Sequence, residues 1–124
     1  MKNKVLIVDD ETIICEVGKE IFELMDIEAL TAESLDEAIQ CFRMYQNEIS
    51  LVILDYHLNE SNGIEVRDEL KKINNDFIAV LASGSYLVEN KKQFTDKGFN
   101  EIISKPYGYD VLKKLLTDYN IIAN

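Results

Sequence analysis

Hydrophobic positions in this chain fall into short unbroken runs separated by segments with helical spacing. Val5-Leu6-Ile7-Val8 leads into Asp9-Asp10, and Leu51-Val52-Ile53-Leu54 leads into Asp55. Phe77-Ile78-Ala79-Val80-Leu81-Ala82 leads into Ser83, and Glu101-Ile102-Ile103-Ser104 leads into Lys105-Pro106. Runs rich in Val, Ile and Leu predict strands buried on both faces. Ile27 to Ala32 is a weaker run and predicts an edge strand. Between the runs, Ile14, Val17, Gly18, Ile21 and Met25 recur at spacings of three and four, predicting a helix from about Thr12 to Met25. Ser34-x-x-Glu37 has the form of a capping box and opens a second helix, with Ala38, Ile39, Phe42 and Tyr45 inward.

A polar loop, His57 to Gly63, precedes a third helix with Ile64, Val66, Leu70 and Ile73 as packing residues. Ser83-Gly84-Ser85 predicts a turn before a polar fourth helix, Leu87 to Lys97, ended by Gly98 as a C-cap. The last helix is expected over Asp110 to Tyr119, burying Leu112, Leu115, Leu116 and Tyr119. Five strand-helix pairs in strict alternation predict one α/β domain over residues 1–124, a doubly wound parallel (βα)5 sheet with helices on both faces. In such a sheet the carboxyl ends of the strands share one edge, where ligands bind. Three carboxylates, a hydroxyl and an ammonium are therefore expected at one place.

Composition narrows the function classes. With 124 residues, 47% hydrophobic and 29% charged, the chain can bury a core and is not disordered. A formal net charge of -10 argues against nucleic acid or anionic membrane as partners. No run approaches the roughly 20 apolar residues of a membrane helix. Val5 to Val8 is too short for a secretory signal, so a cytoplasmic location is expected. Cys15 and Cys41 have neither zinc-site spacing nor a Cys-x-x-Cys motif, and read as buried thiols in a reducing compartment. Met1-Lys2-Asn3-Lys4 reads as a natural start, and little chain follows the last helix to serve as an output domain.

Two carboxylates about 4 Å apart repel by about 4 kcal/mol at an effective dielectric near 20. Asp9, Asp10 and Asp55 together therefore call for a counter-ion, and Mg2+ suits oxygen ligands. The plainer alternative is that Asp9-Asp10 caps the first helix. Asp55, directly after four core residues, has no capping task. A carboxylate is also a nucleophile toward phosphorus, forming an aspartyl phosphate. Phosphoryl transfer needs positioning and charge neutralisation, which Mg2+, Lys105 and the Ser83 hydroxyl would supply. Taken singly, Ser83 is an ordinary turn serine and Lys105 an ordinary surface lysine. Pro106 permits a cis bond before it, or simply starts the next helix.

The ordered set of Asp9-Asp10, Asp55, Ser83 and Lys105-Pro106 at the ends of successive strands resembles the receiver domain of bacterial response regulators, of the single-domain chemotaxis type. The resemblance covers the whole chain. It implies a flavodoxin-like sheet in the order 2-1-3-4-5 and phosphorylation of Asp55 by the phosphohistidine of a sensor histidine kinase or phosphotransfer protein. It also implies Mg2+ held by Asp9, Asp10, Asp55 and the backbone carbonyl of His57. Ser83 and Lys105 would each meet a phosphoryl oxygen. Phosphorylation would reshape the face of the fourth strand, fourth helix and fifth strand, to which a downstream protein binds. The protein would not be an enzyme on other substrates, catalysing only its own phosphorylation and dephosphorylation.

Two positions depart from the family. An aromatic residue usually stands three before the lysine, and here it is Ile102, stiff and without a polar tip. Phe99 and Tyr107 are the nearby aromatics left to report the state. His57, two after the acceptor, lies where its ring could alter hydrolysis, or is simply an exposed loop histidine. Alternative functions are a degenerate receiver used only for protein interaction, and a Mg2+-dependent phosphatase of the haloacid dehalogenase type. The latter needs Asp-x-Asp after the first strand, where this chain reads Asp9-Asp10-Glu11.

Overall fold

The computed structural model describes residues 3–84 and 91–123. Five strands form one parallel sheet: β1 (Lys4–Val8), β2 (Glu28–Ala32), β3 (Ile49–Asp55), β6 (Ile78–Ser83) and β7 (Glu101–Ser104). Their order is β2-β1-β3-β6-β7. This is the expected 2-1-3-4-5 arrangement once two short strands, β4 (His57–Leu58) and β5 (Ser61–Asn62), are counted in chain order. Those two pair antiparallel inside the segment predicted as a plain polar loop.

The sheet has two apolar faces because its strands alternate. Leu6, Val8, Val52, Leu54, Ala79 and Leu81 pack toward α2 (Leu35–Tyr45), α3 (Gly63–Ile73) and α4 (Lys91–Thr95), through Phe42, Val66, Leu70 and Phe94. Val5, Ile7, Leu51, Ile53, Val80 and Ala82 pack toward α1 (Thr12–Glu23) and α5 (Tyr109–Asp118), through Cys15, Phe22, Leu112, Leu115 and Leu116. Burial on both faces explains why the strands read as unbroken apolar runs. The weaker β2 run is an edge strand, as expected.

The helix starts follow local chemistry. Ser34 caps α2 by accepting from the Glu37 amide at 3.2 Å. Glu37 returns its bond to the Glu33 amide, one residue earlier than a standard capping box. In α1 the inward stripe is Cys15, Gly18 and Phe22; Val17, predicted inward, is 43% exposed. The other predicted residues face the sheet: Gly18 closely approaches Ile7, and Ile14, Ile21 and Met25 pack half-buried against the same cluster. Cys15 is buried, whereas Cys41 is half-buried rather than enclosed. Leu112, Leu115 and Leu116 are buried as predicted, while Tyr119 is half-buried. Only Lys91–Thr95 of the predicted fourth helix appears as α4; Leu87 and Ser85 lie outside the described residues. Gly98 follows with φ 98°, the left-handed end expected of a C-cap.

Candidate functional site

The candidate site sits where the chain leaves adjacent central strands toward opposite faces of the sheet. Val8 of β1 is in register with Leu54 of β3, so Asp9 and Asp55 emerge side by side at the carboxyl edge. From there α1 turns to one face and α3 to the other, the topological switch point at which open α/β sheets bind ligands. Ser83 ends β6 and is in register with Ser104 of β7, which carries Lys105 beside it. The Lys105 amide donates to the Ser83 carbonyl at 2.7 Å. The Lys105-Pro106 peptide bond is cis.

Sequence-predicted groups meet here. Carboxylate oxygens of Asp9, Asp10 and Asp55 all lie within 4.8 Å of one another. Lys105 Nζ, extending from the edge strand across β6, stands 3.1 Å from Asp9 Oδ2 and 3.2 Å from Asp55 Oδ2. Asp9 and Asp55 are almost fully buried, at 2% and 5% exposure. A cavity of about 310 Å³ opens over them, lined by Asp10, Asp55, His57, Ser83 and Lys105 among others. Asp9 lies behind this wall and does not line the cavity. Its Oδ1 accepts from the Glu11 amide at 2.9 Å, tying the start of α1 to the site. The residue at the N-cap position is Glu11, which makes no side-chain cap, so capping alone does not account for the acidic pair.

Burial and the Asp9 charge push the Asp55 carboxyl up to about 6, against the pull of Lys105. A backbone hydrogen bond from His57 also favours the Asp55 anion. For Lys105, burial opposes the charged form, but the Asp9 and Asp55 carboxylates outweigh it and hold the ammonium above its ordinary range. The resulting set is one cation against three carboxylates. All three offer hard oxygen donors, which fits a divalent ion such as Mg2+ better than a soft metal.

The approach to Asp55 is tight. The Gly63 amide donates to the Tyr56 carbonyl at 3.2 Å, and a Cβ on Gly63 would lie 2.7 Å from the Asp55 carbonyl oxygen. Three groups escaped the sequence reading. Glu11 reaches Lys105 at 3.4 Å. The Asn59 amide donates to Asp10 Oδ2 at 3.0 Å, a backbone contact invisible to residue type. Tyr56 stacks edge-on with Phe94 of α4, centroids 5.7 Å apart, and with His57 at 4.7 Å. The His57 ring is exposed at the rim.

Of the departures from the expected pattern, Ile102 is buried at 4% in the same apolar cluster as Phe94 and Phe99. Tyr107 is buried on the opposite face, with no hydrogen-bond partner for its hydroxyl among the described residues. Burial raises the Tyr107 pKa, with the Asp9 charge adding to it.

Residues 5–117 match the family described as the response regulator receiver domain. The chain is 27% identical over 125 residues to the peroxide stress-activated histidine kinase mak3 of Schizosaccharomyces pombe, covering 94% of this chain and 5% of that protein. It is 26% identical over 117 residues to the transcriptional regulatory protein MalR of Bacillus subtilis, covering 93% of this chain and 49% of that one. It thus spans half the length of these curated relatives or less. A receiver domain protein from Clostridium thermocellum superposes with a TM-score of 0.84 at 28% identity, covering 94% and 92% of the two chains. A receiver protein described as CheY-like, from Methanospirillum hungatei JF-1, superposes with 0.81 at 25% identity over 97% and 95%.

Proposed function

Because the chain belongs to the response regulator receiver family, we propose that it accepts a phosphoryl group on Asp55 from a histidine kinase or phosphotransfer protein, in a Mg2+-dependent reaction. The observation that carries this reading is the convergence of Asp9, Asp10, Asp55 and Lys105 at the switch point of the sheet, all but Asp9 lining one cavity. An Asp55 oxygen attacks phosphorus, the new O–P bond forms as the P–N bond breaks, and the histidine nitrogen leaves with the electron pair. Lys105 is placed to pair with a phosphoryl oxygen, and the Ser83 hydroxyl to donate to another. Asp9, Asp10, Asp55 and the His57 carbonyl would hold Mg2+, which neutralises carboxylate and phosphoryl charge together. The chain has no other substrate in this reading and catalyses only its own phosphorylation and dephosphorylation.

The downstream partner docks on the face of β6, α4 and β7. Next to that face, a cavity of about 270 Å³ lies between Lys91 of α4, Glu101 and Ile103 of β7, and Val111 and Lys114 of α5. With Ile102 buried where the family carries an aromatic, the Tyr56–Phe94 contact is the aromatic link between the acceptor segment and α4. Among the described residues no helix is long and apolar enough to cross a membrane. A cytoplasmic site of action suits that and the two free thiols. The acidic balance disfavours direct nucleic-acid binding.

Acetyl phosphate with Mg2+ tests the reaction. Intact-mass measurement is expected to show one phosphoryl group on the wild-type chain, and none with EDTA or in Asp55→Ala. An unmodified wild-type chain, or an equally modified Asp55→Ala, overturns the proposal. In the first of those cases the interaction-only receiver takes its place.

A further inference from the structure

We propose that the backbone amide of Asn59 is a positioning donor for Asp10 and thereby sets the affinity of the acidic site for Mg2+. The inference rests on the metal reading given above. It starts from an asymmetry among the three carboxylates. Lys105 Nζ serves Asp9 at 3.1 Å, Asp55 at 3.2 Å and Glu11 at 3.4 Å. Among the described residues Asp10 has no such cation. Its partner is the Asn59 amide, 3.0 Å from Oδ2 and 49 positions away in the chain.

The loop is shaped to present that amide. His57 pairs with Asn62 and Leu58 with Ser61, leaving Asn59 and Glu60 as a two-residue turn. Glu60 has φ 64°, and Asn59 is not among the residues with positive φ. That sign pattern belongs to a type II turn, in which the second residue (here Asn59) offers an amide that the turn itself does not use. Glu60 is a poor residue for the left-handed position, which a non-glycine side chain enters at a cost of about 1 kcal/mol. The loop adopts the strained turn, and the amide it frees points at Asp10.

The consequence follows from how ligating carboxylates behave. Asp10 is only half-buried, so without a fixed donor its side chain can turn toward water. A hydrogen bond to one oxygen fixes the plane of the carboxylate. Partners of this kind, one step removed from the metal, alter affinity by about 10–100-fold when lost. The Asn59 amide is a positioning group, since it touches neither the metal nor the phosphoryl group.

Proline at position 59 deletes this one donor and little else. Proline is favoured at the second position of a type II turn, and Leu58 before it is already extended, as proline requires. Asn59→Ala keeps the amide and removes only the side chain. Mg2+ titrations by calorimetry on the full chain are expected to show Kd weakened about tenfold in N59P and unchanged in N59A. Melting temperatures in EDTA are expected to be the same for all three proteins. Wild-type affinity in N59P, or an equal loss in N59A, overturns the inference and leaves the metal reading intact. A wild-type chain that takes up no Mg2+ overturns both. Should N59P fail to fold, hydrogen exchange at the Asn59 amide of the wild type decides. Slower exchange on adding Mg2+ supports the inference, and faster exchange overturns it.

Discussion

Two lysines at opposite edges of the sheet do the same elementary thing with different results. Lys4, at the start of β1, lies 2.9 Å from Glu28 and 3.6 Å from Glu48. Lys105, beyond β7, lies 3.1 Å from Asp9 and 3.2 Å from Asp55. The two side chains are similarly covered along their length, at 14% and 16% exposure, but the Lys105 ammonium end is set deeper. The carboxylates differ: Glu28 and Glu48 are 59% and 46% exposed, Asp9 and Asp55 2% and 6%. Water can solvate the glutamates if Lys4 lets go, so that cluster is a surface ornament of low energy. Asp9 and Asp55 have no such recourse, and whichever cation stands beside them is needed by the fold as well as by the chemistry. Burial of the anions, more than the number of ion pairs, separates the edge at the cavity from the opposite one.

The largest expected effect is at Lys105. Lys105→Met leaves two buried carboxylates unpaired and is expected to lower stability by about 3 kcal/mol at neutral pH in EDTA, read by urea denaturation. Millimolar Mg2+ should return part of that loss, and should stabilise this variant more than the wild type. Next comes Asp55→Asn, which removes the buried charge and is expected to stabilise the metal-free chain by about 2 kcal/mol at pH 7.5. The Asp55 carboxyl titrates near 6, above its ordinary 3.8, so the folded state prefers the protonated form. That preference supports the fold fully below about pH 4 and is lost as pH rises through 6. The advantage of Asn should therefore be small at pH 4, grow up to pH 6 and level off above 7. A constant difference across that range would show that desolvation of Asp55 is not its cause.

Gly63→Ala should be milder, costing about 1–2 kcal/mol as the loop shifts away from the Asp55 carbonyl and Leu81. The smallest effect is expected at Lys4→Met, a loss well short of that at Lys105 and shrinking at high salt. Equal losses for the two lysine variants in urea would erase the distinction between the edges.

Most of the fold was legible because its strands are buried on both sides. Val5–Val8 and Leu51–Leu54 could hardly be anything but central strands, and the polar residue ending each run marks the carboxyl edge. That is why Asp9, Asp55, Ser83 and Lys105 could be chosen before any geometry was known. What stayed hidden is what periodicity and residue type do not encode. In α1 apolar type alone did not separate Val17, which faces outward, from Cys15 and Phe22, which complete the buried stripe. The β4–β5 hairpin has two-residue strands, too short to show alternation, and its turn holds Glu60 where a glycine would have announced it. The Asn59 amide belongs to the backbone, so no amino-acid letter signals it. Glu11 was read only as part of an acidic run, although its position after Asp9-Asp10 brings it to the same lysine.

The close return of the chain at Gly63 has an engineering consequence. The segment leaves the acceptor strand with the Tyr56 amide on the Ala82 carbonyl and comes back with the Gly63 amide on the Tyr56 carbonyl. Both anchors are main-chain bonds, indifferent to the side chains in between. With Leu58 buried and the Asn62 side chain capping α3, the exposed positions 57, 59 and 60 therefore form the exchangeable part of a loop clipped onto a fixed socket. In the proposed reaction, swapping side chains at these positions is expected to retune cation preference and phosphate lifetime while Asp55 keeps its place.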